Sequence, residues 1–303
     1  MPTSPQFDLS FEPRYGEAVS LSPLVRRVTA NNPGPFTFHG TNSYLVGSRQ
    51  LAVIDPGPLD AAHLDALLHA IGDAEVVAIL VTHTHRDHSP LAARMALKTG
   101  APTLAEGPHR PARAVAIGET LPLDGSGDTG FRPDRLLADG EVVVGDGWHL
   151  TAIATPGHAA NHLAFALEEE QALFSGDHVM SWSTTIVAPP DGSMVDYMAS
   201  LDRLLAREEE RYYPGHGNPL NSAQRFVAGL RMHRLGRETA ILDRLAAGDE
   251  TIPDMVRAIY VGLDEKLFGA AGLSVLAHLE DLVARGIVTS DAVPGVSARY
   301  HLA

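Results

Sequence analysis

The chain has 303 residues, 45% hydrophobic and 20% charged, with no cysteine and a formal net charge of −14. These figures describe a globular protein with a substantial core, either one large domain or one of about 200 residues plus a smaller one. They exclude a disulfide scaffold, restrict any metal site to nitrogen and oxygen donors, and oppose nucleic-acid binding through a general basic surface. From Asn221 onward nine Lys and Arg face ten Asp and Glu, so neither part of the chain offers a surface to a polyanion. Met1 to Asp8 has neither a basic region nor an apolar run, and no stretch approaches the roughly 18 apolar residues of a membrane span. A cytoplasmic location away from membranes is expected.

In chain order, the first 35 residues are proline-rich, with Leu24 to Thr29 a first strand. Phe36 to Gly47 and Leu51 to Gly57 read as two strands joined by the polar turn Ser48 to Gln50. Asp60 caps a helix running to Ile71, with Leu64, Leu67, Leu68 and Ile71 on one face and His63 and His69 on the solvated side. Val76 to Val81 is a buried strand that runs straight into His83, His85, Asp87 and His88. Imidazole and carboxylate are the donors that borderline divalent metals prefer, and four of them on one loop exceed the needs of a single tetrahedral ion. The loop reads as built for two metals.

A helix follows from Pro90 to Gly100. Between His109 and Gly140 the pattern dissolves, and Leu123 to Gly130 suggests a mobile surface insertion. Regularity returns in short strands at Val142 to Val144, His149 to Thr155, His162 to Leu167 and Ala172 to Ser175, then a helix from Val195 to Ala206 and a strand at Arg211 to Tyr213. Strands interspersed with helices predict an α+β fold with helix-covered sheets. Three of these strands end in a ligand preceded by glycine: His158 after Gly157, Asp177 after Gly176 and His216 after Gly215. Glycine lets the backbone turn sharply, so the next side chain projects from the sheet rim. Any one alone reads as a surface turn. Together with the loop they give His83, His85, Asp87, His88, His158, Asp177 and His216, a sensible set for two ions sharing one carboxylate.

The order His-x-His-x-Asp-His, Thr-Pro-Gly-His, Ser-Gly-Asp and Pro-Gly-His resembles the metallo-β-lactamase-fold hydrolase superfamily over roughly residues 20 to 220. The resemblance implies an αββα sandwich with His83, His85 and His158 on one metal, Asp87, His88 and His216 on the other, and Asp177 bridging. True metallo-β-lactamases use a cysteine and lack this bridging aspartate, so penicillin turnover is not expected. Asn221 to Ala247, Thr251 to Tyr260 and Ala271 to Val288 give three helices and a hairpin, similar to the winged-helix tail of the β-lactamase-like protein 2 group. That division places a catalytic domain at 1–220 and the tail at 221–303. His39, Asn42 and Ser183 to Thr185 sit where the group keeps similar residues.

Two dications about 3.5 to 4 Å apart lower the pKa of a water held between them and supply hydroxide near neutral pH. Asp87 is the candidate catalytic carboxylate that orients that water or receives its proton. Zinc suits the donor set, with iron or manganese as alternatives. The resulting expectation is a dinuclear hydrolase acting on an ester or thioester of a small or carrier-bound acyl group. The resemblance also admits cleavage of single-stranded RNA. A DNA-binding regulator with structural metals is a third reading, opposed by the missing basic patch: the tail helix from Leu273 to Arg285 carries Glu280 and Asp281 against one arginine. The tail is read as packing, dimerisation or cleft wall. His162 and His178, close in sequence to His158 and Asp177, are candidates to support those ligands from behind.

Overall fold

The computed structural model describes residues 5–115 and 127–303. Two sheets pack face to face. The first has seven strands in chain order: β1 (Val19–Ser20), β2 (Val25–Thr29), β3 (Asn42–Gly47), β4 (Gln50–Ile54), β5 (Glu75–Leu80), β6 (Thr103–Ala105) and β7 (Arg135–Leu136). Pairing is antiparallel from β1 to β4 and parallel from β4 to β7. Parallel neighbours need a crossover, and α1 (Ala61–Ile71) and α2 (Ala92–Thr99) supply the first two. Asp60 caps α1 by accepting from the Ala62 amide at 2.8 Å, and Gly100 closes α2 in the left-handed conformation.

The second sheet contains β8 (Val142–Gly145), β9 (Trp148–Ala154), β10 (Leu163–Leu167), β11 (Ala172–Gly176) and β12 (Arg211–Pro214), in the order β12-β11-β10-β9-β8. Only β11 and β12 run parallel, and α3 (Met194–Leu205) connects them. Between the sheets lie Tyr44, Ile54, Leu80, Trp148, Phe165 and Phe174. The far face of the first sheet buries Leu45, Val53 and Ile79 against Leu64, Leu67 and Met95 of the helices. The far face of the second buries Ile153, Leu173 and Tyr212 against Tyr197 and Leu201 of α3 and Phe226 and Leu230 of α4 (Ala223–Ala246). Strands β10 and β11 are buried at every position because they are covered on both sides. The layer order is therefore the expected αββα.

The tail adds α5 (Ile252–Ile259), α6 (Phe268–Ala284) and the antiparallel hairpin of β13 (Val288–Ser290) and β14 (Tyr300–Leu302). Leu273, Leu276, Leu279 and Leu282 of α6 form a core with Ile241, Met255 and Tyr300. The stretch Glu265–Ala284, with mean hydropathy 1.4, is long and apolar enough to span a membrane, where the sequence reading found no such stretch. Leu273, Leu276, Leu279 and Leu282 within it are buried in the tail's own core.

Other expectations need correction. Residues 36–41 are not strand: Phe38 takes a positive φ of 55° and Asn32 curls the chain back by binding the Thr41 amide and hydroxyl through its side chain. His63 is buried on α1, with Nε2 2.9 Å from the Ser43 hydroxyl; His69 is exposed as expected. Part of the expected mobile insertion lies outside the described residues. The rest is tied in: the Asp128 amide donates to the Thr84 carbonyl at 2.7 Å, Ser89 donates to the Asp128 carboxylate at 2.8 Å, and Phe131 is buried.

Candidate metal centre

The segments that follow β5, β9, β11 and β12 converge. Backbone contacts lock them together: the Leu163 amide donates to the Thr82 carbonyl at 2.7 Å, Asn42 to Gly215 at 2.7 Å, and Gly215 to Gly176 at 2.8 Å. Asn42 also donates through its side chain to the Pro214 and Gly217 carbonyls, which fixes the loop bearing His216.

All seven residues singled out from the sequence meet here. His83 Nε2 and His158 Nε2 each lie 3.0 Å from His85 Nδ1. Asp87 Oδ2 lies 3.3 Å from His88 Nε2 and 3.2 Å from His216 Nε2. Asp177 stands between these two triads, 3.4 Å from His88, 3.3 Å from His216 and 3.7 Å from His158. Three overlapping groups, His83–His85–His158, His83–His88–Asp177 and Asp87–His88–His216, each keep their donor atoms within 4.8 Å of one another.

The outward nitrogens show why the inward ones are free to bind a cation. His83 Nδ1 meets the Thr82 hydroxyl at 3.0 Å, and that hydroxyl donates to Asp55. His88 Nδ1 meets Asp55 Oδ2 at 2.9 Å, and His85 Nε2 meets Asp191 Oδ2 at 2.7 Å. His158 Nδ1 donates to the Ile186 carbonyl at 2.7 Å and His216 Nδ1 to the Gly40 carbonyl at 3.1 Å. An imidazole whose outer nitrogen carries the proton offers a lone pair from the inner one, the form a metal needs. Buried and without a hydrogen-bond partner are His88 Nε2, His216 Nε2 and Asp177 Oδ1, all aimed into the shared space. A Cβ on Gly215 would fall 2.3 Å from Asp177 Oδ1 and 2.8 Å from His88, so this space exists only because glycine is there. The residues fit a pair of divalent cations.

Burial opposes charge on His83, His88, His158, His216, Asp87 and Asp177, and the neighbours then decide. Burial and the surrounding imidazoles push His83 well down, and burial holds His158 at about 4. At His88 the carboxylates of Asp87, Asp177 and Asp55 outweigh burial and raise the pKa well above its usual value; Asp177 and Asp87 bring His216 to about 10. The same imidazoles hold both carboxyls well below the ordinary range despite burial.

A family model described as Metallo-beta-lactamase superfamily matches residues 36–216, and one described as Beta-lactamase associated winged helix domain matches 251–293. The chain belongs to the metallo-beta-lactamase superfamily. It is 33% identical to an atrochrysone carboxyl ACP thioesterase of Aspergillus chevalieri, over 82% of this chain and 77% of that protein. It is 31% identical to a beta-lactamase-like protein 2 homolog of Caenorhabditis elegans, over 88% and 87%. A metallo-beta-lactamase family protein from Thermus thermophilus superposes with TM-score 0.74 at 27% identity, covering 94% of this chain and all of that one (100%). A beta-lactamase domain protein from Burkholderia ambifaria superposes at 0.79 and 23% identity, covering 97% and 96%. Like its superfamily, the chain is a metal-dependent hydrolase.

Sequence reasoning missed several residues of this metallo-beta-lactamase-fold site. Asp55 falls within the expected strand Leu51 to Gly57 with nothing to mark it as a site residue, and Asp191 gives no signal at all. Thr41 places its hydroxyl 3.1 Å from Asp87 Oδ2. His162 packs its ring 5.2 Å from that of His83 and binds Thr155, and His178 packs 4.5 Å from Tyr197; neither hydrogen-bonds a candidate ligand. His162 alone of the two packs against ligand rings, those of His83 and His158. His39 packs on Phe38, outside the cluster, while Thr185 donates to the Asp177 carbonyl.

Proposed function

We propose that the protein hydrolyses the thioester of a small or carrier-bound acyl group. The observation that carries the reaction type is the convergence of five imidazoles and two carboxylates, with His88 Nε2, His216 Nε2 and Asp177 Oδ1 left without a partner inside the cluster. The thioester is favoured over RNA by the charge of the chain and of its tail helix. The tail helix α6 buries its leucines, and its acidic residues pair with arginines, Glu280 with Arg113 and Asp281 with Arg285. A chain of net charge −14 with that helix is poorly matched to RNA phosphates. The thioesterase name of one relative agrees with the reading.

His83, His85 and His158 would hold one divalent ion and Asp87, His88 and His216 the other, with Asp177 shared; zinc, iron and manganese all suit these donors. Such ions supply an acidified water and polarise the electrophilic oxygen. The chain's own residues do the rest. Asp87, steadied by the Thr41 hydroxyl, orients the attacking water and takes up its proton. A thiolate leaves without an acid to protonate it, so the site needs no further proton donor.

Metal-loaded protein should turn over acyl-pantetheine thioesters and leave unstructured RNA intact, with His83→Ala inactive as the control for contaminants. RNA cleavage by the native protein but not by that variant, with thioesters untouched, would overturn the reading.

A further inference from the structure

One short segment, 185–191, supplies the outer partners of two of the three imidazoles in the first triad. The Ile186 carbonyl accepts from His158 Nδ1 at 2.7 Å, and the Asp191 carboxylate accepts from His85 Nε2 at 2.7 Å. No imidazole of the second triad leans on this segment: His88 is held by Asp55 and His216 by the Gly40 carbonyl. The remaining member of the first triad, His83, is held through Thr82.

The segment is anchored from the tail. Arg234 of α4 is only 3% exposed, and among the described residues no carboxylate lies within ion-pair distance of it. Its guanidinium donates instead to the Thr185 carbonyl and to the Ser274 hydroxyl of α6, and lies over the Tyr197 ring at 5.1 Å. Burying a cation without a counter-ion is costly, and an apolar side chain of similar length would fill the same space at lower cost. What an apolar side chain cannot do is hold the Thr185 carbonyl, one residue from the carbonyl that orients His158. At the other end of the segment the Ala112 amide donates to Pro190 at 2.7 Å, and the Ser193 amide just beyond donates to Gly157, the residue before His158, at 2.9 Å.

We infer that Asp191 and Arg234 are positioning residues for the first metal ion, so that α4, the helix packed on the second sheet, is a working part of the metal centre. The inference rests on the metal-centre reading above. Asp191 fixes the proton of His85 on Nε2 and leaves Nδ1 as a lone pair facing His83 and His158. Without that acceptor the proton is free to move to Nδ1, and the ligand is lost. Arg234 holds the strand of chain on which both Ile186 and Asp191 depend.

Metal content and chelator competition on the full-length protein test this without any substrate. The native chain should hold two ions that leave in two resolvable steps. Asp191→Ala should weaken one step by roughly 10- to 100-fold and leave the other within about twofold, and Arg234→Met, which also loosens Thr185 against the shared Asp177, should weaken that same step more than the other. Asp191→Asn, which keeps an acceptor oxygen, and Arg234→Lys, which keeps a donor, should each recover part of the loss. A purely structural role would instead lower the melting temperature and weaken both steps alike, which overturns the inference. Two ions with unchanged affinities in Asp191→Ala overturn it as well, while leaving the metal centre standing. A native chain that holds fewer than two ions overturns both.

Discussion

Asp55 Oδ2 lies 2.9 Å from His88 Nδ1, although 33 residues separate the two in sequence. The same carboxylate accepts from the amide and the hydroxyl of Thr82, each at 2.7 Å, so one buried side chain at the end of β4 ties down the start of the ligand loop and one of its histidines. Asp55 itself sits at a φ of 50°, a region that aspartate tolerates better than most residues. Asp55→Ala should therefore leave the Thr82 amide and His88 Nδ1 without their acceptor. The metal-free protein should lose about 3 kcal/mol of unfolding free energy, and the ions should bind at least 10-fold more weakly. Urea unfolding and metal titration of the variant check both parts; an unchanged urea midpoint would contradict the first.

A second prediction concerns Gly215. Its backbone is in an ordinary conformation, so alanine there adds no strain of its own. The new methyl group would nevertheless stand 2.3 Å from Asp177 Oδ1 and 2.8 Å from the His88 ring. Gly215→Ala should fold with an intact circular-dichroism spectrum yet bind less than two ions per chain and lose most hydrolytic activity. Full metal content in that variant would show that the space is not needed by the ligands.

The seven candidate ligands were legible because ligation restricts residue type and because each lies on the ligand loop or directly after a glycine. Helix-covered sheets were legible from strands interspersed with helices, whereas the αββα order was implied only by the family resemblance; β10 and β11, buried at every position, are the strands that both layers cover. Asp191 was invisible because Pro189-Pro190-Asp191-Gly192 has the composition of any exposed turn, and its role arises only from a contact with His85, 106 residues away. His63 was misplaced because helical periodicity counts apolar residues alone. The Ser43 hydroxyl of β3, which makes its burial tolerable, is not a property of the helix. Phe36 to Thr41 reads as strand by composition, but the Asn32 side chain takes the Thr41 backbone amide that a ladder would use.

The charge balance of the site predicts a proton count. In the metal-free chain the surrounding carboxylates raise the pKa of His88 well above its usual value and that of His216 to about 10, which favours the protonated form of both. A cation that binds their inner nitrogens must displace those protons. Binding of two ions to metal-free protein at pH 7 should thus release roughly two protons, and apparent affinity should fall as the pH is lowered. Calorimetry in buffers of different ionisation enthalpy measures the release directly. Heats that do not depend on the buffer would mean that these histidines are already neutral.

Two histidines remote from the ligands predict how stability follows pH. Burial pushes His63 down to about 4, and burial together with the nearby Arg234 pushes His278 to about 3, against an ordinary value of 6.5. In the unfolded chain both take up a proton as the pH drops through 6.5, whereas in the folded chain they stay neutral until about 4 and about 3. Between those limits the unfolded state binds more protons, so stability falls with falling pH, by up to about 1.4 kcal/mol per pH unit for each histidine. His278→Leu, which fills the same buried position in α6 without a titratable group, removes one such contribution. Urea midpoints of the metal-free native protein and the variant, compared at pH 7 and pH 5, should show a shallower decline for the variant. Parallel declines would mean that His278 is not held neutral in the fold.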